Sequence, residues 1–447
     1  MSKQASGGIS IRHTLRLSEW NRLQLFPEVF LTEEDRESLV RTAEKHPAAI
    51  SFIESLQGLR ISTQQWVGVI ATPNLTIHIH PKFEHGYLDL LRLISYIFGF
   101  GGLAILSEQE QMQEGSDNLL DLIMLLFIRS TQYVVRRGII RDYIETDADL
   151  SVLRGRLDFH QQYRKRFGAL DKLHCHYDHH TPVIPENILV YAGLELCRRL
   201  HPPAVALGEN NRVHAIFSEL TAGEHPAHDI ADEEIVYHRQ NRHYRDAHEY
   251  ARMLLRGVGI RDIYTRDTLR SHSFLLDMNR LFQGFVERFL RQLFVSTGID
   301  VRTQDHRAMH IIWENSEKSS KAIRPDIVLR DTADSRHVLV ADAKYKRLDA
   351  YDISNADVYQ MFLYSYAYDR EVRRACLFYP SETNGFHYRS LTIRGAGGST
   401  GAKIWLIGLP VSKILESVDD FRQDAEVQQF RAKLMEILST AHQREQQ

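Results

Sequence analysis

Two aspartates and a lysine form the most specific chemical pattern in this sequence. In RPDIVLRDTADSRHVLVADAKYK (residues 324–346), two short apolar runs, Ile327 to Leu329 and Val338 to Ala341, flank a polar turn containing Asp331, Asp334 and Ser335, which reads as a strand hairpin. The second run is apolar on both faces, as expected of a central strand covered by helices. Polarity then changes abruptly at Asp342 and Lys344, whose spacing sends both side chains to one face of the sheet at the strand end. Asp326 precedes the first strand, and in an antiparallel hairpin that position lies beside the end of the second. Two carboxylates in this setting suit Mg²⁺, with Mn²⁺ as an alternative, because such an ion keeps several waters and accepts phosphate oxygens as further ligands. The chemistry would be phosphodiester hydrolysis, with Lys344 orienting the attacking water or stabilising the developing negative charge. The competing reading is an exposed, salt-bridged strand end.

The elements around the hairpin favour the chemical reading. Upstream, the spacing predicts a helix over 276–294, with Met278, Leu281, Phe282, Phe285, Val286, Phe289, Leu290 and Leu293 on one broad apolar face. Gln283 and Glu287 lie four apart beside that face, where such a helix can supply another metal ligand. Downstream, Gln360 and Tyr364 stand one turn apart on a predicted helix, placed to meet DNA or to hold the lysine; the alternative is a packed aromatic helix. The strand ACLFYP at 375–380 follows. Helix, hairpin, helix, strand is the order of an α/β sandwich.

The rest of the chain divides into two regions. Residues 1–110 read as a β-containing unit in which WVGVI and LTIHIH form a hairpin turned at Thr72-Pro73-Asn74, followed by a helix from Tyr87 to Phe98. Residues 111–265 read as mostly helical, with helices over 118–137 and 187–200, and a polar loop or linker with short helices over 209–248. Arg136, Arg137, Arg141, Arg154, Arg156, Arg164, Lys165 and Arg166 make the densest basic stretch, which either tracks a phosphate backbone or is a set of solvated charges. HCHYDHH brings His174, His176, His179 and His180 within seven residues. That is a candidate zinc cluster, but it lacks the separated second pair a closed site needs, and its alternation reads as an edge strand. GAGGSTGAK at 395–403 fails the phosphate-loop pattern, because no Ser or Thr follows Lys403.

Composition sets outer bounds. The 447 residues carry 55 Lys and Arg against 58 Asp and Glu, a formal charge of -3, with 43% hydrophobic residues. This excludes a globally basic nucleic-acid binder while leaving room for a local basic groove. Three scattered cysteines argue against a disulfide scaffold and for a reducing compartment. The start shows no secretory signal, and the apolar run from Leu119 to Ile128, broken by Asp121, falls short of the roughly 20 residues of a membrane span, so a cytoplasmic protein is expected.

Pro325-Asp326, followed by Asp342-Ala343-Lys344, resembles the active-site signature of the PD-(D/E)XK nuclease superfamily, and Gln360-x-x-x-Tyr364 is similar to an accessory motif of its exonuclease-like branches. WVGVIATPNLTIHIHPKF, LRGRLDF, TPVIPENILV, LLDMNRLFQGFVERFL, RPDIVL and VADAKYK together resemble the McrC family of McrBC-type modification-dependent restriction systems. The resemblance implies an α/β protein whose C-terminal part (266–447) is a nuclease-like sandwich, a central mixed sheet flanked by helices. It implies a Mg²⁺-dependent endonuclease acting on double-stranded DNA with Asp326, Asp342 and Lys344 as the catalytic trio. The implied partner is an McrB-like AAA+ hexamer that hydrolyses GTP, or ATP in some relatives, with residues 1–110 as the docking part. The family often has an acid where this chain has Gln283, which keeps open a second expectation: a nuclease-fold assembly factor that activates the motor or binds DNA without cutting.

Overall fold

The computed structural model describes residues 13–83, 85–98, 119–167, 169, 171–221, 230–258, 272–303, 309–312, 319–334, 338–346, 348, 353–369, 373–381, 383–394, 400–416 and 423–439. The N-terminal part contains β1 (His13–Ser18), β2 (Gln24–Pro27), α1 (Glu33–Lys45), β3 (Ile50–Ser55), β4 (Gly58–Thr63), β5 (Trp66–Ala71), β6 (Leu75–His80) and α2 (Tyr87–Phe98). The expected hairpin is β5 paired with β6, with Ala71 opposite Thr76. On β6, Leu75, Ile77 and Ile79 are buried and the alternate residues are half-buried, as the sequence alternation required. Its turn is held from outside: Asp35 on α1 accepts from Thr72 Oγ1 at 2.5 Å and from the Asn74 amide at 3.0 Å.

The middle part has α3 (Leu119–Arg137), β7 (Asp142–Leu150), β8 (Arg156–Leu157), α4 (Phe159–Arg166), β9 (Leu173–Thr181), α5 (Pro185–Leu200), α6 (Ala204–Leu220) and α7 (Arg245–Val258). Two expectations change here. The stretch expected to be a linker from 209 begins inside α6, because Ala206, Asn210, Val213 and Phe217 recur at helical spacing and are buried. HCHYDHH lies on β9, which is the middle strand of the β7-β9-β8 sheet and not an edge. That sheet and α4 form an arm with little core of its own: Tyr143, Val152, Leu153, Phe159, Tyr163 and Phe167 are all exposed.

The C-terminal part runs through β10 (His272–Asp277), α8 (Met278–Leu293), β11 (Ile299–Thr303), β12 (Met309–Ile312), β13 (Ser319–Ile323), β14 (Ile327–Asp331), β15 (Val338–Ala343), α9 (Asn355–Tyr368), β16 (Arg374–Pro380), β17 (His387–Arg394), β18 (Thr400–Leu409), α10 (Val411–Glu416) and α11 (Ala425–Ser439). Residues 276 and 277, expected at the start of the helix, end β10, and Asp277 instead caps α8 by accepting from the Asn279 amide at 3.0 Å. β10 completes a four-stranded sheet in the order β1-β6-β5-β10. Leu275 pairs with Gly68, where φ is +145° and a Cβ would run into the Phe274 carbonyl oxygen, so only glycine fits. β17 and β18 form the hairpin expected around the glycine-rich segment, whose residues 395–399 lie outside the described residues.

β11-β14-β15-β16-β18-β17 form a six-stranded sheet in which β15, β16 and β18 are parallel and the remaining pairs antiparallel. One face, with Ile327, Leu339, Ala341 and Phe378, joins the core that holds Phe282, Phe285 and Phe289 of α8 and Phe430 of α11. The other, with Val328, Val338, Val340 and Leu377, packs on Met361 and Tyr364 of α9. Helices thus cover both faces of a mixed sheet, which is the α/β arrangement expected. No helix among the described residues is long and apolar enough to cross a membrane.

Candidate active site

β14 and β15 pair antiparallel with Ile327 opposite Ala341, and one further step of that register sets Asp326 against Asp342. The Asp326 carboxylate is fixed by the backbone, since its Oδ2 accepts from the Ala343 amide at 3.1 Å. Lys344 continues beyond β15, its amide donating to the Phe378 carbonyl oxygen of β16 at 2.9 Å. Its Nζ lies 2.9 Å from Asp342 Oδ2. All three residues singled out in the sequence therefore meet at one end of the central strands.

This is not an exposed strand end. Asp342 is 2% exposed, and burial followed by the neighbouring Asp326 charge pushes its carboxyl up to about 7. Asp326 is raised as well, by burial against the opposing pull of the Ala343 amide and Lys344. Burial works against the Lys344 ammonium, yet Asp342, Asp326 and Asp357 hold it above its ordinary value. Although Lys344 is close, Asp342 Oδ2 is buried without a well-directed hydrogen bond. A buried carboxylate oxygen in that state, opposite a second carboxylate, fits a divalent cation. Asp326 and Asp342 are the residues that would hold it. Among the described residues no group of three or more His, Cys, Asp or Glu side chains is placed to hold a metal ion.

The accessory residues take distinct places. Glu287 on α8 is near enough for its charge to raise Asp326, is itself raised by burial, and accepts from Gln283 Nε2 at 3.1 Å. Gln360 and Tyr364 do not hold the lysine. Gln360 Nε2 donates to the Tyr364 hydroxyl at 2.8 Å, and that hydroxyl donates to the Arg324 carbonyl oxygen at 3.0 Å, two residues before Asp326. The histidine cluster is absorbed locally: His174 and His176 each place Nδ1 2.7 Å from a β7 carboxylate, Asp149 and Asp147 respectively. The basic residues Arg136, Arg137, Arg141, Arg154, Arg156, Arg164 and Lys165 are exposed along α3 and the arm.

Two neighbours were not singled out in the sequence. Lys346 Nζ pairs with Asp357 Oδ2 at 2.7 Å, and Asp357 belongs to the cap of α9, where Ser354 accepts from its amide. The Ser354-x-x-Asp357 capping pattern was a legible signal for that anchor. Tyr345, 7% exposed, donates to Glu19 Oε1 at 2.8 Å, a contact across 326 residues that no local pattern announces.

Comparison with known proteins places the chain in a family. A family model described as the McrBC 5-methylcytosine restriction system component matches residues 61–380, and the chain belongs to that family. No curated protein matches at a significant level. A chain of the Thermococcus gammatolerans assembly described as a refined half-complex from tetradecameric McrB AAA+ hexamers with bound McrC is similar over 95% of this chain and 100% of its own, at TM-score 0.57 and 18% identity. A chain of the cryo-EM structure of the Thermococcus gammatolerans McrBC complex is similar over 63% of this chain and 88% of its own, at TM-score 0.43 and 20% identity. At such identities the first likeness speaks for the fold.

Proposed function

We propose that this member of the McrBC family is the McrC-type nuclease subunit of a modification-dependent restriction complex, acting in the cytoplasm as a Mg²⁺-dependent endonuclease on methylated double-stranded DNA. The observation that carries the reading is the buried Asp342 carboxylate set against Asp326, with the Lys344 ammonium 2.9 Å away. A buried pair of like charges is costly to fold around and is readily understood as a cation site within a PD-(D/E)XK-type arrangement. Mg²⁺, or Mn²⁺ in its place, would be held by Asp326 and Asp342 and would supply charge to neutralise the scissile phosphate and acidify a water.

The chain's own groups do the rest. The Ala343 amide fixes the rotamer of Asp326. Lys344, kept protonated by three carboxylates, presents its ammonium to a phosphate oxygen or to the attacking water and offsets charge gathering on the phosphate. Tyr364 and Gln360 hold the backbone leading to Asp326.

An McrB-like AAA+ hexamer, using GTP or in some relatives ATP, is the partner this reading implies, and the similar chain in the McrB assembly supports it. The exposed apolar surface of the arm, with Phe159 77%, Tyr163 74% and Phe167 87% exposed, is suited to protein docking. On this reading the docking surface includes 142–167 in addition to the N-terminal residues 1–110. Replacing Asp342 with Ala abolishes DNA cleavage while stimulation of the partner's nucleotide hydrolysis persists; retained cleavage would overturn the assignment.

One observation favours a second reading, an assembly factor that activates the motor or binds DNA without cutting. At the position where the family often has an acid stands Gln283, whose amide is engaged by Glu287. Incubation of the chain and its partner with modified plasmid, metal and nucleotide separates the two readings. Linear products support the nuclease, and intact plasmid with full motor stimulation supports the assembly factor.

A further inference from the structure

The three residues that follow Ala343 each reach into a different part of the molecule. Lys344 turns to Asp342, Tyr345 to Glu19, and Lys346 to Asp357 on α9. No regular strand pairing supports this stretch. Past the Lys344 amide bond to Phe378, its backbone closes on itself through Lys346 to Lys344 and Leu348 to Lys346 contacts. Its side-chain ties therefore largely determine where it sits.

Glu19 is a fixed point. It follows β1 directly, is fully buried, donates its amide to the His80 carbonyl oxygen at 2.9 Å, and accepts from the Lys82 amide with the same Oε1 that receives the Tyr345 hydroxyl. The Tyr345 ring is flanked by Phe83 of the N-terminal part and Phe282 of α8, at centroid distances of 6.4 and 6.0 Å. The N-terminal and C-terminal parts do not close against each other at this point. A cleft of about 700 Å³ separates them, with Trp20, Lys82 and Phe83 on one wall and Lys346, Pro380 and Val411 on the other. The hydroxyl-to-carboxylate bond crosses the junction at the edge of this cleft, which Glu19 and Tyr345 also line.

We propose that Tyr345 is a positioning residue for the hydrolytic site: its bond to Glu19 locks the end of β15 to the N-terminal sheet and so holds Lys344 at Asp342. The inference rests on the nuclease reading, and it goes beyond it by making the N-terminal sheet part of the machinery that sets the lysine. A displacement of β1 relative to the six-stranded sheet is transmitted through one side chain to the residue next to Lys344. Small misplacements of a reacting group are expensive in rate, which makes such a tie effective.

The test uses the full chain with its motor partner, metal, nucleotide and modified plasmid. Tyr345→Phe removes one oxygen and leaves the ring packed. It lowers kcat for cleavage about tenfold, with KM for DNA and stimulation of the partner's nucleotide hydrolysis unchanged. Tyr345→Phe combined with Glu19→Gln is no slower than Tyr345→Phe alone, because both changes act on the same bond. Full-rate cleavage by Tyr345→Phe, or loss of motor stimulation in the same proportion as cleavage, overturns the proposal. Amide exchange provides a readout independent of cutting: Tyr345→Phe speeds exchange over 343–346 and leaves 327–331 unchanged. Should the unaltered protein not cut at all, the nuclease reading fails, while unchanged exchange over 343–346 would refute the tie itself.

Discussion

The Tyr364 hydroxyl donates to the Arg324 carbonyl oxygen at 3.0 Å, so a side chain of α9 sets the backbone from which Asp326 projects. Tyr364→Phe leaves that carbonyl without its donor and frees the Gln360 amide. Loss of one such bond costs about 1 kcal/mol of stability. Cleavage falls several-fold because Asp326 loses its fixed approach. Gln360→Ala keeps the Tyr364 to Arg324 bond and has the smaller effect. Denaturant unfolding alongside single-turnover cleavage of both variants checks the ranking.

On the nuclease reading proposed above, Glu287 and Gln283 are the candidates for a third ligand, and the charge of Glu287 already reaches Asp326. Glu287→Gln weakens Mg²⁺ binding, so the metal concentration for half-maximal cleavage rises. Gln283→Glu places a second acid on the same helix face and lowers that concentration. Metal titrations of the two variants decide; an unchanged midpoint for Glu287→Gln would remove this residue from the site.

Glu19 gives the folded chain a definite pH signature. Burial raises its carboxyl from 4.5 to about 7, so the folded state holds this proton more tightly than the unfolded chain does. Stability therefore falls as pH climbs from about 4.5 to 7, by up to about 3 kcal/mol. Glu19→Gln flattens this slope and is the more stable protein at pH 8. His248 works in the opposite sense: burial lowers it from 6.5 to about 3, and its contribution is lost as pH drops through that interval. Unfolding free energies measured from pH 4 to 8 test both signs.

Phe159 and Tyr163 are exposed on the arm and bury little in the isolated chain. Replacing both with Ala changes stability by no more than about 0.5 kcal/mol. Stimulation of the partner's nucleotide hydrolysis drops at least tenfold if the arm is the docking surface. Turnover assays at rising concentrations of the variant separate weaker docking, which saturates late, from failed stimulation, which never recovers.

How much of this was legible in the sequence follows from the range of each interaction. The convergence of Asp326, Asp342 and Lys344 was readable because strand periodicity and a short hairpin turn are local. The role of Tyr364 was half readable: the helical spacing to Gln360 is local, but the Arg324 carbonyl it holds lies 40 residues away. α6 was obscured because Asn210 is buried at an otherwise apolar position and polar residues surround its narrow stripe. HCHYDHH suggested metal because its partners, Asp147 and Asp149, sit on a neighbouring strand. Glu19 and Tyr345 were invisible, since neither belongs to a motif and only the finished fold joins them.

The pairing of β10 with β5 sets a schedule for synthesis. Leu275 meets Gly68, so the N-terminal sheet waits for roughly 200 residues of intervening chain, or roughly 10 to 40 s at ribosomal rates. During that interval β5 has one side of its ladder unfilled, and the apolar row Val67, Val69 and Ile70 lies along a template for mispairing. A fragment ended before residue 272 would carry that open template permanently. Expression of residues 1–271 should therefore give inclusion bodies, and co-expression with a segment containing 272–294 should recover material that 1–271 alone does not.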